Sequence, residues 1–233
     1  MSVLLLRFKG PLQAWGHDSR YQERRTHHSP TKSAVVGLLA AAEGRRRTDS
    51  VEDLTELEFG VRIDQPGTLL RDYQTAIDWR SGPPARLSNR YYLEDACFVV
   101  AVGGSRDLLD GLAEAVRSPQ FPLYLGRRAC PVNHDVVIGV VDEADVDRAL
   151  RAVEWQASTG HRRTRSRKVH LPIYRDAREG EQVEEQLHDV PVSFDPRKRD
   201  YRWRAVHMPS PHVVANPVGQ ADVDPFWEAV SGA

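Results

Sequence analysis

Val-Leu-Leu-Leu-Arg-Phe-Lys-Gly-Pro-Leu-Gln-Ala-Trp-Gly at residues 3–16, then Pro-Thr-Lys-Ser-Ala-Val-Val-Gly-Leu-Leu-Ala at residues 30–40, decide the reading of this chain. The pattern predicts a buried strand, a polar loop and a helix. Thr31 or Ser33 can cap that helix, so free backbone N–H groups, the positive end of the helix dipole and Lys32 converge on one spot. Such a spot suits a phosphate.

The loop between strand and helix is basic and aromatic together. Residues 1–47 carry nine Lys/Arg against three Asp/Glu, a local net of +6 in a chain whose total is −1. Trp15, Tyr21, His27 and His28 lie among these charges, and cations interleaved with rings are what single-stranded RNA requires: phosphates pair and bases stack. The same composition also fits a solvated loop. Arg far outnumbers Lys along the chain, which favours planar, two-pronged phosphate contacts.

The chain has 233 residues, enough to bury a core without staples, and one main domain with an appendage is expected. No apolar run reaches the roughly 20 residues of a membrane span, and the amino terminus lacks the features of a signal peptide, so a cytoplasmic protein with no membrane contact is expected. Cys97 and Cys130 are the only cysteines and show no metal-ligand spacing; neither a disulfide, a metal nor a cofactor is expected, and Cys97 reads as a small core residue.

Along the chain, a short amphipathic turn at 51–57 leads into a strand at 58–64, where Phe59, Val61 and Ile63 alternate, and Pro66-Gly67 breaks it. Residues 69–92 are polar and without core periodicity, the mark of a functional excursion, and predict a protruding hairpin or flap. Ala96–Val102 predicts a central strand covered on both faces. Leu108, Leu109, Leu112, Ala113 and Val116 predict a helix ending before Pro119, and Val136–Val141 a further strand. The order strand, helix, strand, strand, helix, strand predicts an α+β, ferredoxin-like (RRM-like) βαββαβ domain over residues 1–150 with the hairpin at about 66–92 protruding from it, or another α+β sheet of the same order. A small carboxy-terminal subdomain and irregular tail are expected over 151–233, with basic blocks at 161–168 and 197–204 and an acidic stretch at 176–189. In the loop at 124–131, Gly126 permits positive φ or close approach, and Arg127 and Arg128 offer guanidinium forks. His17, His27 and His28, near Tyr21 and Lys32 in sequence, can supply a base and acid for metal-independent RNA cleavage, or stack and bind phosphate without chemistry. There is no Walker loop, no carboxylate pair at metal spacing and no nucleophile elbow.

Five segments in register carry a resemblance: Leu-Arg-Phe-Lys-Gly-Pro-Leu-Gln-Ala-Trp-Gly at 6–16, Pro-Thr-Lys-Ser-Ala-Val-Val-Gly-Leu-Leu at 30–39, Arg-Asp-Tyr-Gln-Thr at 71–75, Tyr-Tyr-Leu-Glu-Asp-Ala at 91–96 and Tyr-Leu-Gly-Arg-Arg-Ala-Cys-Pro at 124–131. Together they closely resemble the CasD family, a subunit of the type I-E CRISPR Cascade within the repeat-associated mysterious protein superfamily. The match covers about the first 140 residues; the last third matches loosely. The resemblance implies a non-catalytic cap that grips the 5′ handle of the CRISPR RNA, sits between a backbone subunit and the large subunit, and meets target DNA only through the complex. The alternative is the type I-C sibling family, a metal-independent endoribonuclease that cuts the repeat RNA. Residues and resemblance together predict an RNA-binding set of Gln13, Trp15, Arg20, Arg24, Lys32, Ser33, Tyr73, Arg90, Tyr91, Gly126, Arg127 and Arg128, with no catalytic and no metal-ligating residue.

Overall fold

A computed structural model of the chain describes residues 1–16, 23–132 and 135–220. Strand β1 (Ser2–Lys9) is followed by two short strands, β2 (Leu12–Gln13) and β3 (Glu23–Arg24), and then by helices α1 (Lys32–Ala42) and α2 (Glu52–Thr55). Strand β4 (Glu58–Gln65), the hairpin β5 (Thr68–Asp78) and β6 (Gly82–Glu94), β7 (Cys97–Gly104), α3 (Arg106–Arg117) and β8 (Val137–Asp142) come next. The remainder is α4 (Val146–Ala152), α5 (Thr159–Arg163), β9 (Lys168–Leu171), β10 (Ile173–Asp176), β11 (Glu185–Ser193), β12 (Asp200–His207) and β13 (His212–Ala215). The result is a mixed α+β fold, rich in sheet.

Seven strands form one sheet in the order β11-β12-β10-β4-β7-β1-β8, and every neighbouring pair is antiparallel. Strand β7 lies inside the sheet between β4 and β1 and is buried almost end to end because both faces are covered, which is why its sequence shows no alternation. Phe98, Val100 and Val102 join Leu4, Leu6 and Phe8 in the cluster under α1 and α3. Val99 and Ala101 join Val3 and Leu5 under α4. On the α4 side the buried Arg62 uses its whole donor set: Nε and Nη2 donate to Asp64 at 2.6 and 2.9 Å, Nη1 to the carbonyls of Leu150 and Val153, and Nη2 to that of Glu154. A guanidinium so satisfied can be buried, and it ties the end of α4 to β4.

The excursion expected at 69–92 is a hairpin, but a continuous ladder where the sequence shows no period: β5 and β6 run antiparallel from Thr68↔Glu94 to Asp78↔Gly82, with one register shift between Ala76 and Asp78. Their pattern hid this because most of the hairpin is exposed, so no alternation was imposed by a core. The carboxy-terminal third also departs from the expected small subdomain with an irregular tail. Strands β10, β12 and β11 continue the main sheet beyond β4, and His212–Ala215 pairs with Lys168–Leu171.

What fixes that third in place is a buried ion network. Asp189 accepts the Lys32 backbone N–H at the start of α1 at 2.8 Å and the Arg204 guanidinium at 2.9 and 2.8 Å. Asp176 accepts Lys32 Nζ and Arg204 Nη1, each at 3.0 Å, and the Phe59 N–H at 3.1 Å. Thr31 occupies the cap position of α1 without a side-chain cap bond, so the carboxylate of Asp189 does the capping from 157 residues away. Replacing Asp189 by Ala is expected to lower the unfolding free energy by about 3–5 kcal/mol, because it strands the buried Arg204 charge. Urea denaturation reads it, and a loss under about 1 kcal/mol, the size of a surface pair, would show that the network does not hold the sheet extension.

Candidate nucleic-acid interface

A groove of about 980 Å³ opens between α1, the segment 121–128 and the β11–β12 hairpin. Arg24, Arg45, Arg46, Arg47, Arg127, Arg128 and Arg199 line it, and Asp189 is the one acid among the described lining residues. The charge of Asp189 is already matched by Arg204, so the groove is a concentrated positive field.

Local backbone chemistry presents these arginines. Helix α1 ends in a Schellman turn: Gly44 takes φ +82°, its N–H donates to the Ala41 carbonyl, and the Arg45 N–H donates to the Ala40 carbonyl at 2.8 Å. That stop throws Arg46 and Arg47 into solvent. Arg45 is spent on the fold, held by Asp53 at 2.5 and 2.6 Å and by Glu43 at 2.8 Å. In the 124–131 loop, Gly126 has φ +90°, and a Cβ there would lie 1.8 Å from the Ala14 carbonyl oxygen. Only glycine fits, as expected, yet the close approach is to the chain itself. Arg127 is likewise a clamp, donating to the carbonyls of Tyr91 at 3.0 Å and Arg24 at 2.6 Å while stacking 4.9 Å over Tyr92. Arg128 beside it is exposed.

The structure sorts the eleven described members of the predicted RNA set into four groups. Arg24, Ser33, Gly126, Arg127 and Arg128 line the groove. Arg90 pairs with Arg24 across β6 and β3, on the same hairpin face as Tyr92. Tyr73 and Tyr91 point from the opposite face, since their cross-strand partners are Asn89 and Arg71. Gln13, Trp15 and Lys32 are corrections: all three are buried. Trp15 is 0% exposed, stacked at 5.5 Å on Phe8 and edge-on to Phe98, which leaves no face for a base. Gln13 Nε2 donates to the Ala96 carbonyl at 2.7 Å, and the ammonium of Lys32 meets Asp176 instead of a phosphate. Arg20, with His17 and Tyr21, lies outside the described residues.

The family model for CRISPR-associated protein (Cas_Cas5) matches residues 3–207, most of the chain. The chain belongs to this Cas5 family. It is 36% identical over 169 residues to the CRISPR system Cascade subunit CasD of Escherichia coli (strain K12), a match spanning 64% of this chain and 75% of that protein. A chain of a solved CRISPR RNA-guided surveillance complex superposes with a TM-score of 0.73 at 30% identity over 98% of both chains. A crystal structure of a Cas protein superposes with a TM-score of 0.65 at 34% identity over 94% of this chain and 98% of that one.

Sequence reasoning missed the groove's far wall. Arg199 lies 6.0 Å over Tyr201, Tyr201 meets His188 at 6.0 Å, and His188 stacks at 4.9 Å on Trp203, which is 66% exposed. The signal was the interleaving Arg199-Asp200-Tyr201-Arg202-Trp203 in the basic block at 197–204, unread because nothing placed it beside α1.

The histidines expected as a candidate base and acid are engaged otherwise. His27 Nδ1 bonds the Ser29 carbonyl at 3.1 Å and its Nε2 faces Glu185 at 3.7 Å. His28 packs at 4.0 Å on His27 and 5.0 Å on Tyr174, and desolvation, helped by His27, holds its pKa down to about 4. It is therefore neutral at pH 7, able to accept a proton but not to act as the acid. Because the folded value lies below the ordinary 6.5, the unfolded chain binds more protons between these limits, so stability is full above about pH 6.5 and falls as pH drops towards 4. His28→Gln is expected to flatten that slope in urea titrations across the window; an unchanged slope would mean that His28 is not held neutral.

Proposed function

We propose that the chain is a non-catalytic subunit of a Cascade-type CRISPR complex that grips the 5′ handle of the CRISPR RNA in the arginine groove. The cap it forms joins a backbone subunit to the large subunit, and target DNA is met only through the assembled complex. The observation that carries this reading is the groove itself: exposed Arg24, Arg46, Arg47, Arg128 and Arg199 around one cleft, with the rings of Tyr201, His188 and Trp203 leading out of it. Family membership and the likeness to CasD supply the kind of RNA.

The body that presents the groove is read as a ferredoxin-like module. The reading rests on the order β4-β7-β1-β8, with α1 and α3 covering one face of those strands. A single-stranded handle suits the groove because its unpaired bases can splay onto rings while guanidinium forks hold successive phosphates. Holding one end of the RNA gives the assembly a defined terminus. The β5–β6 hairpin, with Tyr73 at 59% and Trp79 at 85% exposure, is the arm that would reach the backbone subunit. An RNA-cutting role is disfavoured by the engagement of His27 with the Ser29 carbonyl and Glu185, which leaves His28, no acid at pH 7, without a partner to complete a base and acid pair.

The combined variant Arg46→Ala, Arg47→Ala, Arg128→Ala is expected to weaken handle RNA binding by about 1.5–3 kcal/mol per lost phosphate contact, with a shallower salt dependence. A gel of labelled repeat RNA in EDTA reads binding and cleavage together: retained RNA without cutting is expected for the parent protein. Unchanged affinity in the variant would remove the groove as the site, and a single cut abolished by His27→Ala or His28→Ala would make the chain an endoribonuclease.

A further inference from the structure

The basic block at 161–168 takes no part in the groove. The chain enters it from the other face of the sheet. Helices α1 and α3 cover the face carrying Leu4, Leu6 and Val100, whereas α4 covers Val3, Leu5 and Val99. Arg62 and Trp155 belong to that second face, Trp155 Nε1 donating to the Asp64 carbonyl at 2.8 Å, and the chain passes from there into α5.

Residues 157–173 contain five Lys/Arg and no Asp/Glu. Solvated surfaces usually mix the two signs. The backbone of this block is fastened from within. Asn216 Nδ2 donates to the carbonyls of Arg162 and Ser166 at 2.7 and 3.0 Å. The N–H groups of Asn216 and Gln220 donate to the carbonyls of Arg167 and Arg165, each at 2.8 Å. Gly219 lies so close that a Cβ would sit 2.5 Å from the Ser166 oxygen. Arg162 is folded inward, stacking on Trp155 at 5.1 Å and donating to the Ala157 carbonyl at 3.1 Å.

With the carbonyls and Arg162 turned in, the side chains of Arg163, Arg165, Arg167 and Lys168 are left exposed on a fixed loop. Among the described residues none of the four meets a carboxylate; Arg165 bonds only to His161, at 3.2 Å. Holding like charges together on an ordered loop costs stability through self-repulsion, which a polyanion would relieve. The charged residues of the block are cations alone.

We propose that the loop at 163–168 is a second nucleic-acid site, which holds a phosphodiester backbone without reading its bases, outside the groove. Its ligand is the backbone of duplex DNA or of single-stranded RNA. The site is independent of the handle groove.

The test measures binding of the full chain to a short random-sequence DNA duplex and to a random single-stranded RNA over a series of salt concentrations. The variant Arg163→Gln, Arg165→Gln, Arg167→Gln, Lys168→Gln is expected to bind one or both about tenfold more weakly, with the log–log salt slope reduced by about 3. Loss confined to the duplex assigns DNA, and loss confined to the single strand assigns RNA. The charge-preserving set Arg163→Lys, Arg165→Lys, Arg167→Lys should keep most of the binding, which separates loss of charge from loss of fold. Arg46→Ala with Arg47→Ala and Arg128→Ala should leave the duplex affinity within about twofold, so the groove reading can fail without touching this one. Unchanged affinity and slope for both ligands would overturn the proposal, as would intact nucleic-acid binding alongside lost co-purification with protein partners, which would make the loop a protein contact.

Discussion

The carboxylate of Asp189 at the first turn of α1 is the constraint on which the rest of the structure depends. A helix N-terminus with Lys32 beside it attracts an anion, and the chain supplies that anion itself from β11. Arg204 then holds Asp189 and Asp176 together while lying 5.1 Å over the Phe59 ring, so one network joins α1, β4, β10, β11 and β12. Such a network contributes little as a pair of bridges; its weight lies in the cost of breaking it, since any missing partner leaves a charge in the interior. Through it the β11–β12 hairpin is set against α1 and becomes the far wall of the arginine groove.

How much was legible in the sequence follows from which signals are local. Strands β1, β4 and β7 and helix α3 announce themselves because burial on one or both faces writes an apolar pattern into consecutive residues. The β5–β6 hairpin was recognised as an excursion but not as a regular ladder, since an exposed ladder needs only backbone pairing, which any polar sequence can supply. Lys32 was read as free because its partner Asp176 lies 144 positions away. Trp15 was read as a stacking ring because a short polar surrounding masks the fact that Phe8 and Phe98 enclose it. The candidate site was thus half visible: Arg24, Ser33, Gly126, Arg127 and Arg128 were named from sequence and Arg46 and Arg47, presented by the local turn after α1, were counted only as charge, while Arg199 and the rings of the far wall depend on long-range docking.

The arginines divide into those that build and those that wait. Arg45, Arg62, Arg127, Arg162 and Arg204 donate to carbonyls or carboxylates inside the fold and are spent on its shape. Arg46, Arg47 and Arg128 on one side, and Arg163, Arg165 and Arg167 on the other, remain exposed. The fold therefore carries two cationic surfaces of different character: a groove flanked by rings, suited to a flexible strand, and an exposed loop at 163–168, suited to a backbone alone. A near-neutral total charge conceals both.

The most direct test of the central claim is site-specific photo-crosslinking from a handle RNA carrying a reactive base at each position in turn, with the attachment sites mapped by mass spectrometry on the full chain. Crosslinks are expected in the segments 45–47, 121–128 and 188–203. Attachment concentrated on the Tyr73 and Tyr91 face of the hairpin, with the groove segments unlabelled, would contradict the assignment of the arginine groove as the place where the RNA is held.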